Sequence, residues 1–329
     1  MKKYIYLLSI YALLTACATQ NSMQELTLTQ KIEPFREQKT LQAEKVRVNE
    51  VFAIDGIEVK KNNIFVTDSR NSDRTLYQYS LPDVQCIYTG GRRGGAENEF
   101  QLPPSFCKST SEKIYIFGYN PFIIKCFTLD TNNQLILEKE ITLPTSIPIA
   151  NFMNIVNDSL LIYTTFPNKL DIKKANLKSQ QSTEEEIVIE QETHKEIFFD
   201  ENKGYLAAND SLIVYAYTYK KQIDFYGIND MKLHKRLIGN EITPHILIGN
   251  VKETKFHQRE IVACKDYFYI RCPREKDGCF IEVYDYSGRS VAKYELDILL
   301  YAFCVDEKNR TIYGYNNDVF EEGFLKYAY

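Results

Sequence analysis

Tryptophan is absent from this chain of 329 residues, and histidine occurs only four times. His194, His234, His245 and His257 show no recognisable metal-ligand spacing. They offer no convincing general-base arrangement either. No serine sits in a Gly-x-Ser-x-Gly elbow, so that hydrolase signature is missing. No Cys-x-x-Cys pair exists, which excludes a zinc ribbon. There is no concentrated basic tract, and hence no sign of a nucleic-acid partner. After the first apolar stretch there is no second run long enough to cross a bilayer as a helix. What the chain does have is Tyr at 24 positions and Phe at 19, a composition suited to sheets.

The N-terminus has a plan of its own. Lys2 and Lys3 precede an apolar stretch from Tyr4 to Leu14, too short to span a bilayer stably. Small residues and then a cysteine follow, in the order Leu14-Thr15-Ala16-Cys17. This pattern resembles a bacterial lipobox. The resemblance implies cleavage before Cys17, a diacylglycerol on its sulfur and an acylated amino terminus. Two or three acyl chains would hold the protein firmly on a membrane. The expected organisation is a signal peptide over 1–16, a lipidated tether over 17–32 and a folded domain over 33–329. No Asp follows Cys17, which favours the outer membrane as the destination in the cell envelope. The side of that membrane stays open. Without residues 1–16 the chain has 38 basic and 44 acidic residues, a formal charge of −6.

Seven cysteines remain after Cys17, at positions 86, 107, 126, 264, 272, 279 and 304. An exported chain can form disulfides, but an odd number leaves one unpaired. Cys272 and Cys279 flank the turn-like stretch Pro273–Gly278 and could face each other across a hairpin. The alternative is that most of the seven are small buried hydrophobes.

The body of the chain repeats one unit. Its clearest part is a short aromatic and β-branched strand behind a polar turn, as in Asn63-Ile64-Phe65-Val66 and Lys113-Ile114-Tyr115-Ile116. Further copies start with Leu160, Leu212, Phe268 and Ile312. Counted from Ile64 and Ile114, the intervals are 50, 46, 52, 56 and 44 residues, in the range of propeller blades. A second alternating strand usually follows, such as Leu76–Ser80 or Phe280–Tyr284, and a third often closes the unit. Short antiparallel strands of this kind bury both sheet faces only when units pack around an axis. The expected fold is all-β: a six-bladed β-propeller with four-stranded antiparallel blades. The last unit shows only three strands before Tyr329. A strand near Lys39–Val48 is expected to complete it and close the ring. A pair of β-sandwiches is the rival architecture, and five or seven blades are the rival counts.

The run Gly90-Gly91-Arg92-Arg93-Gly94-Gly95-Ala96-Glu97-Asn98-Glu99-Phe100, with Leu102-Pro103 behind it, resembles the glycine-rich turn between NHL-type blades. With the lipobox and six irregular units, the chain is similar to the TolB-like or NHL-like six-bladed propeller lipoproteins of Bacteroides-type bacteria. The resemblance covers roughly residues 40–329. It implies fold and envelope location more than any activity.

Candidate ligand-binding residues lie near strand ends: Arg70, Arg92, Arg93, Tyr119 and Asn120, with Asp68 and Arg74 beside them. Gly118-Tyr119-Asn120 and Gly314-Tyr315-Asn316 are alike and could form an aromatic-amide rim for a glycan or peptide. Repeated blade-turn geometry explains them equally well. Arg92 and Arg93 could pair with an anion or could be solvated turn residues. A lactonase-like metal site would need axial carboxylates, for which Asp68, Asp200 and Asp306 are the candidates, but no set has diagnostic spacing. No catalytic residue, metal ligand or cofactor is assigned. The functional expectation is a non-catalytic binding or scaffolding module with a glycan, peptide or envelope-protein ligand, monomeric in the simplest case. The alternative is a metal-dependent hydrolase or lactonase.

Overall fold

The computed structural model describes residues 27–51, 53–96, 99–119, 122–143, 147, 150–165, 170–179, 181–189, 199–274, 277–318 and 323–329. Cys17, with the expected signal peptide, and Asn120 lie outside these residues. The described residues fold into six four-stranded units arranged as blades.

Blade I comprises β4 (Ile54–Lys60), β5 (Asn63–Asp68), β6 (Leu76–Ser80) and β7 (Gln85–Gly90). Blade II is β8 (Ser105–Ser109), β9 (Ile114–Gly118), β10 (Ile123–Leu129) and β11 (Leu135–Thr142). Blade III is β12 (Ala150–Val156), β13 (Leu160–Thr165), β14 (Asp171–Asn176) and β15 (Gln181–Val188). Blade IV is β16 (Gly204–Ala208), β17 (Leu212–Tyr217), β18 (Gln222–Gly227) and β19 (Leu233–Ile238). Blade V is β20 (Glu260–Ala263), β21 (Tyr267–Pro273), β22 (Cys279–Asp285) and β23 (Ser290–Leu296). Blade VI has β24 (Ala302–Asp306), β25 (Thr311–Tyr315) and β26 (Phe324–Ala328), and takes its fourth strand from β3 (Glu44–Val46).

Part of the stretch expected at Lys39–Val48 therefore closes the ring, with Val46 opposite Phe324 and Glu44 opposite Lys326, while Lys39–Leu41 pair instead with blade V. Two further N-terminal strands reinforce the outside. β1 (Thr29–Lys31) runs parallel to β19, and β2 (Glu37–Leu41) runs parallel to β23. β1 lies before the domain boundary expected at residue 33. A free outer edge is a template for unwanted pairing, and this belt covers the edges of blades IV and V.

The repeated strand of the sequence is the second strand of every blade, and its alternation explains the packing. Ile64 and Val66 of β5 join the cluster shared with blade VI, while Phe65 between them joins the cluster shared with blade II. Among the described residues each of the six blade interfaces has its own apolar cluster. The cluster between blades VI and I, with Tyr313 and Phe324 against Ile64 and Tyr79, is the apolar contact that shuts the ring. A blade facing neighbours on both sides must be apolar on both faces, hence fully buried runs such as Ile114–Gly118.

Polar clamps cross these interfaces. The Tyr115 hydroxyl donates to Asp158 Oδ1 at 2.7 Å, from blade II to blade III. Glu307 of blade VI accepts the Asp266 and Tyr267 amides of blade V, both at 3.1 Å. In blades I to V the register slips once between the third and fourth strands, for example at Cys126/Phe127 and Val283/Tyr284. Such bulges increase strand twist, which fits blades that turn away from the axis.

All seven cysteines within the described residues are free. Cys272 and Cys279 do flank a hairpin, but Cys272 is paired with Phe280 and Cys279 with Pro273. That one-residue offset sends their side chains to opposite faces of blade V, into the clusters shared with blades IV and VI respectively. The hairpin disulfide is thus corrected in favour of small buried thiols.

Candidate functional site

The first strand of each blade starts at the same end of the ring, so these starting residues surround one mouth of the central channel. A cavity of about 400 Å³ lies there, bordered by Gly56, Phe106, Tyr119, Phe152, Tyr205 and Tyr301 among others. Gly56 allows β4 and β8 to come close: a Cβ there would lie 2.8 Å from Phe106 Cδ2.

Rings dominate the rim. Phe152 packs against Tyr205 with centroids 4.9 Å apart. It has φ of +47°, unusual for an aromatic residue, at a register break between Asn151 and Asn154. This strained corner leaves Phe152 38 % exposed. Tyr301, also exposed, is fixed by a hydrogen bond from its hydroxyl to Asp318 Oδ2 at 2.7 Å.

Below the rim the wall is charged and paired. Lys108 lies 2.8 Å from Glu58, which also meets Lys60 at 3.9 Å. Burial alone would lower the Lys108 pKa, but the charges of Glu58 and Glu260 raise it. Glu260 meets Arg271 at 3.4 Å. Burial raises the Glu260 pKa against the pull of Arg271 and Lys108.

Arg259 differs from these. It sits just before β20 and borders the cavity, and no carboxylate pairs with it among the described residues. Its guanidinium lies over Phe256, 3.4 Å from the centroid. Burial lowers its pKa, and the neighbouring Arg271 charge acts in the same direction. Lys203 is lowered too, first by burial and then by the Arg259 charge. Gln258, next in the chain, is wholly buried, and neither of its side-chain amide atoms has a partner among the described residues. The mouth is therefore an aromatic cup in which Lys108, Arg259 and Arg271 face Asp55 and Glu260, with Arg259 the guanidinium that meets no carboxylate among the described residues.

Of the residues expected from sequence, Tyr119 borders this cavity. Its counterpart Tyr315 is buried near Asp68 and Arg70. Asn316 is held inside the fold, donating to the Leu299 carbonyl at 2.7 Å. Arg92 and Arg93 stay on their own blade. Arg92 lies 3.9 Å from Asp73 in an exposed pair, and Arg93 Nη2 donates to the Ser69 carbonyl at 2.6 Å. Gly91 takes a φ of +71° in that turn, the conformation a glycine-rich connection supplies. The Arg70 and Asn71 amides both donate to Asp68 Oδ1, an Asx turn. Asp200 and Asp306 cap turns of their own, receiving the Asn202 and Asn309 amides. Asp306 ends its inner strand, so it lies away from the mouth where those strands begin. Asp68, Asp200 and Asp306 do not converge, and no group of three metal-type ligands occurs among the described residues.

The chain matches the TolB-like 6-blade propeller-like family over residues 34–308. It belongs to that family. Among solved structures, it is similar to a Bacteroides fragilis protein described as a "putative exported protein". The identity is 11 %, the TM-score 0.51, and coverage is 91 % of this chain and 98 % of that one. A β-propeller domain of Cps50 (Swd1) from Myceliophteria thermophila gives 8 % identity, a TM-score of 0.46, and coverage of 86 % and 98 %. The glutaminyl cyclase of Myxococcus xanthus gives 10 % identity, a TM-score of 0.39, and coverage of 88 % and 97 %. At these identities the likeness concerns the fold alone. No curated protein matches the chain.

Proposed function

We propose that this TolB-like propeller is a lipid-anchored envelope protein that captures an anionic sugar-like ligand at the channel mouth, without chemical turnover. The observation that carries this reading is Arg259, a partly buried guanidinium with no carboxylate partner among the described residues, set in an aromatic cup. A cation held short of water and of a counter-ion gains most from an incoming carboxylate, sulfate or phosphate. Ring faces at the rim suit a sugar.

The anchor supports the same arrangement. β1 runs parallel to β19, and β19 ends at the mouth, so the chain approaches the ring from the opposite end. A lipid on Cys17 then holds that end toward the membrane and presents the mouth outward. The envelope location rests on the lipobox, and the exported Bacteroides protein of similar fold is consistent with it.

The test is calorimetric titration of the natively purified protein with galacturonate and, in parallel, galactose. Saturable binding of the acid, lost in Arg259→Met, is expected. Equal binding of both sugars, or none of either, would overturn the reading.

A further inference from the structure

A second, larger cavity of about 1200 Å³ opens between blades IV and V. It is roofed by the 21-residue connection 239–259 between β19 and β20. Connections of that length without secondary structure are uncommon and are usually functional. This one is ordered: the Lys221 amide donates to the Glu241 carbonyl at 2.8 Å, and the Thr254 hydroxyl donates to the Asn250 carbonyl at 2.9 Å. The opposite wall is blade V, with Phe280, Glu282 and Lys293.

Positive charge is in excess in this cleft, although Arg274 meets Glu295 at 2.6 Å and Lys293 lies 3.8 Å from Glu282. Six lysines and arginines line it against three glutamates, Glu241, Glu253 and Glu282. Glu282 is already taken, bonded by Lys221 and by the Tyr284 hydroxyl. Glu241 meets Lys255 at 2.5 Å. Lys252 on the roof is exposed and has no acidic partner among the described residues. Lys293 lies 4.0 Å from the centroid of the Phe280 ring, so a cation and an aromatic face are offered together. Arg259 borders this cleft as well as the channel mouth, so the two cavities adjoin at this residue.

We infer that the cleft is an extension of the mouth site, and that the two together hold an extended acidic oligosaccharide, one acid group at Arg259 and further ones along Lys252, Lys255 and Lys293. This rests on the reading of the mouth given above. A sugar chain is favoured over a peptide because strand addition is closed here. The outer edges of blades IV and V are already paired with β1 and β2. Recognition must come from side chains, and cations beside ring faces suit a uronic-acid chain.

The experiment compares galacturonic acid with its trimer and hexamer, using maltohexaose and hexaglutamate as controls. Wild type and the exposed-loop variant Lys252→Glu/Lys255→Glu are both measured. Affinity is expected to rise by tenfold or more from monomer to hexamer, as linked contacts do. The variant should lose about tenfold for the hexamer, the size of two partly exposed charge pairs, and bind the monomer as before. A hexamer no tighter than the monomer, or a variant that binds it normally, overturns the extended site while leaving the mouth reading intact. Hexaglutamate gaining as much as the sugar acid overturns the assignment to saccharide. If the hexamer binds through the cleft lysines and the monomer does not bind at all, the mouth reading falls and the extension falls with it, leaving a separate cleft site.

Discussion

Two arginines, Arg259 and Arg236, provide a matched test of which charges serve binding and which hold the fold. Arg236 grips Asp224 with two bonds of 2.8 Å, and Asp224 is wholly buried and also receives the hydroxyls of Tyr217 and Tyr226. Arg236→Met would leave that carboxylate buried without its cation, which costs about 3–5 kcal/mol. Arg259→Met is different. It removes stacking on Phe256, worth about 0.5–2 kcal/mol. It also removes a partly desolvated charge and its repulsion by Arg271, which act in the other direction. The net change for Arg259→Met should stay within about 1 kcal/mol. In a domain of this size roughly 2 °C of melting temperature accompanies each kcal/mol. Melting followed by circular dichroism should therefore place the Arg236 variant about 6–10 °C below wild type and the Arg259 variant within about 2 °C. Galacturonate titration should show the reverse order, with binding kept in the first and lost in the second. If Arg259→Met melts as early as Arg236→Met, the mouth arginine is a structural residue and the argument for a ligand fails.

The remaining expectations concern the ring and its anchor. Burial alone would raise the Asp158 pKa, but bonds from Tyr115 and Ser111 and the Lys113 charge hold it below the usual carboxylate value. Its contribution is therefore present above the unfolded carboxylate pKa and lost as pH falls through the lower folded value. Asp158→Asn should flatten the stability curve on that acid side, and an unchanged acid limb in chemical denaturation would contradict the clamp. Truncation to residue 47 strips β1, β2 and β3 and bares three edges; size-exclusion chromatography should show aggregates instead of a monomeric ring. Melting should be the same with and without reductant, because the cysteines of the ring are unpaired; a drop of several degrees on reduction would show a disulfide. Cys17→Ala should move the protein from the membrane to the soluble fraction, and intact mass should lose its acyl additions; unchanged fractionation would reject the anchor.

The parts of this molecule that could be read in its sequence are those where burial imposes a pattern. The second strand of each blade is covered on both faces, so Ile64–Val66, Ile114–Phe117 and Phe268–Ile270 stand out as apolar runs, and their spacing reveals six blades. The closing strand was inferable because blade VI ends one strand short at Tyr329. The site is less legible for the same physical reason. Inner strands line a channel, so they mix Glu58, Lys60, Lys108 and Glu260 with apolar residues and lose the clean alternation that marks a half-buried strand. Arg259 has no local signature, since its meaning depends on what fails to meet it across the ring. One signal was present: residues 239–262, like 33–56, are hard to partition into blades, and a long stretch that resists partition in a repeat protein is a place to look for function. Arg92 and Arg93 attracted attention through their glycines, yet those glycines serve the turn, and the turn ties Arg93 to Ser69. The contrast gives a rule for other irregular propellers. Charge embedded in a recurring turn is explained by the turn. Charge at the start of an inner strand, behind the longest connection between blades, has no such explanation and is where a ligand should be sought first.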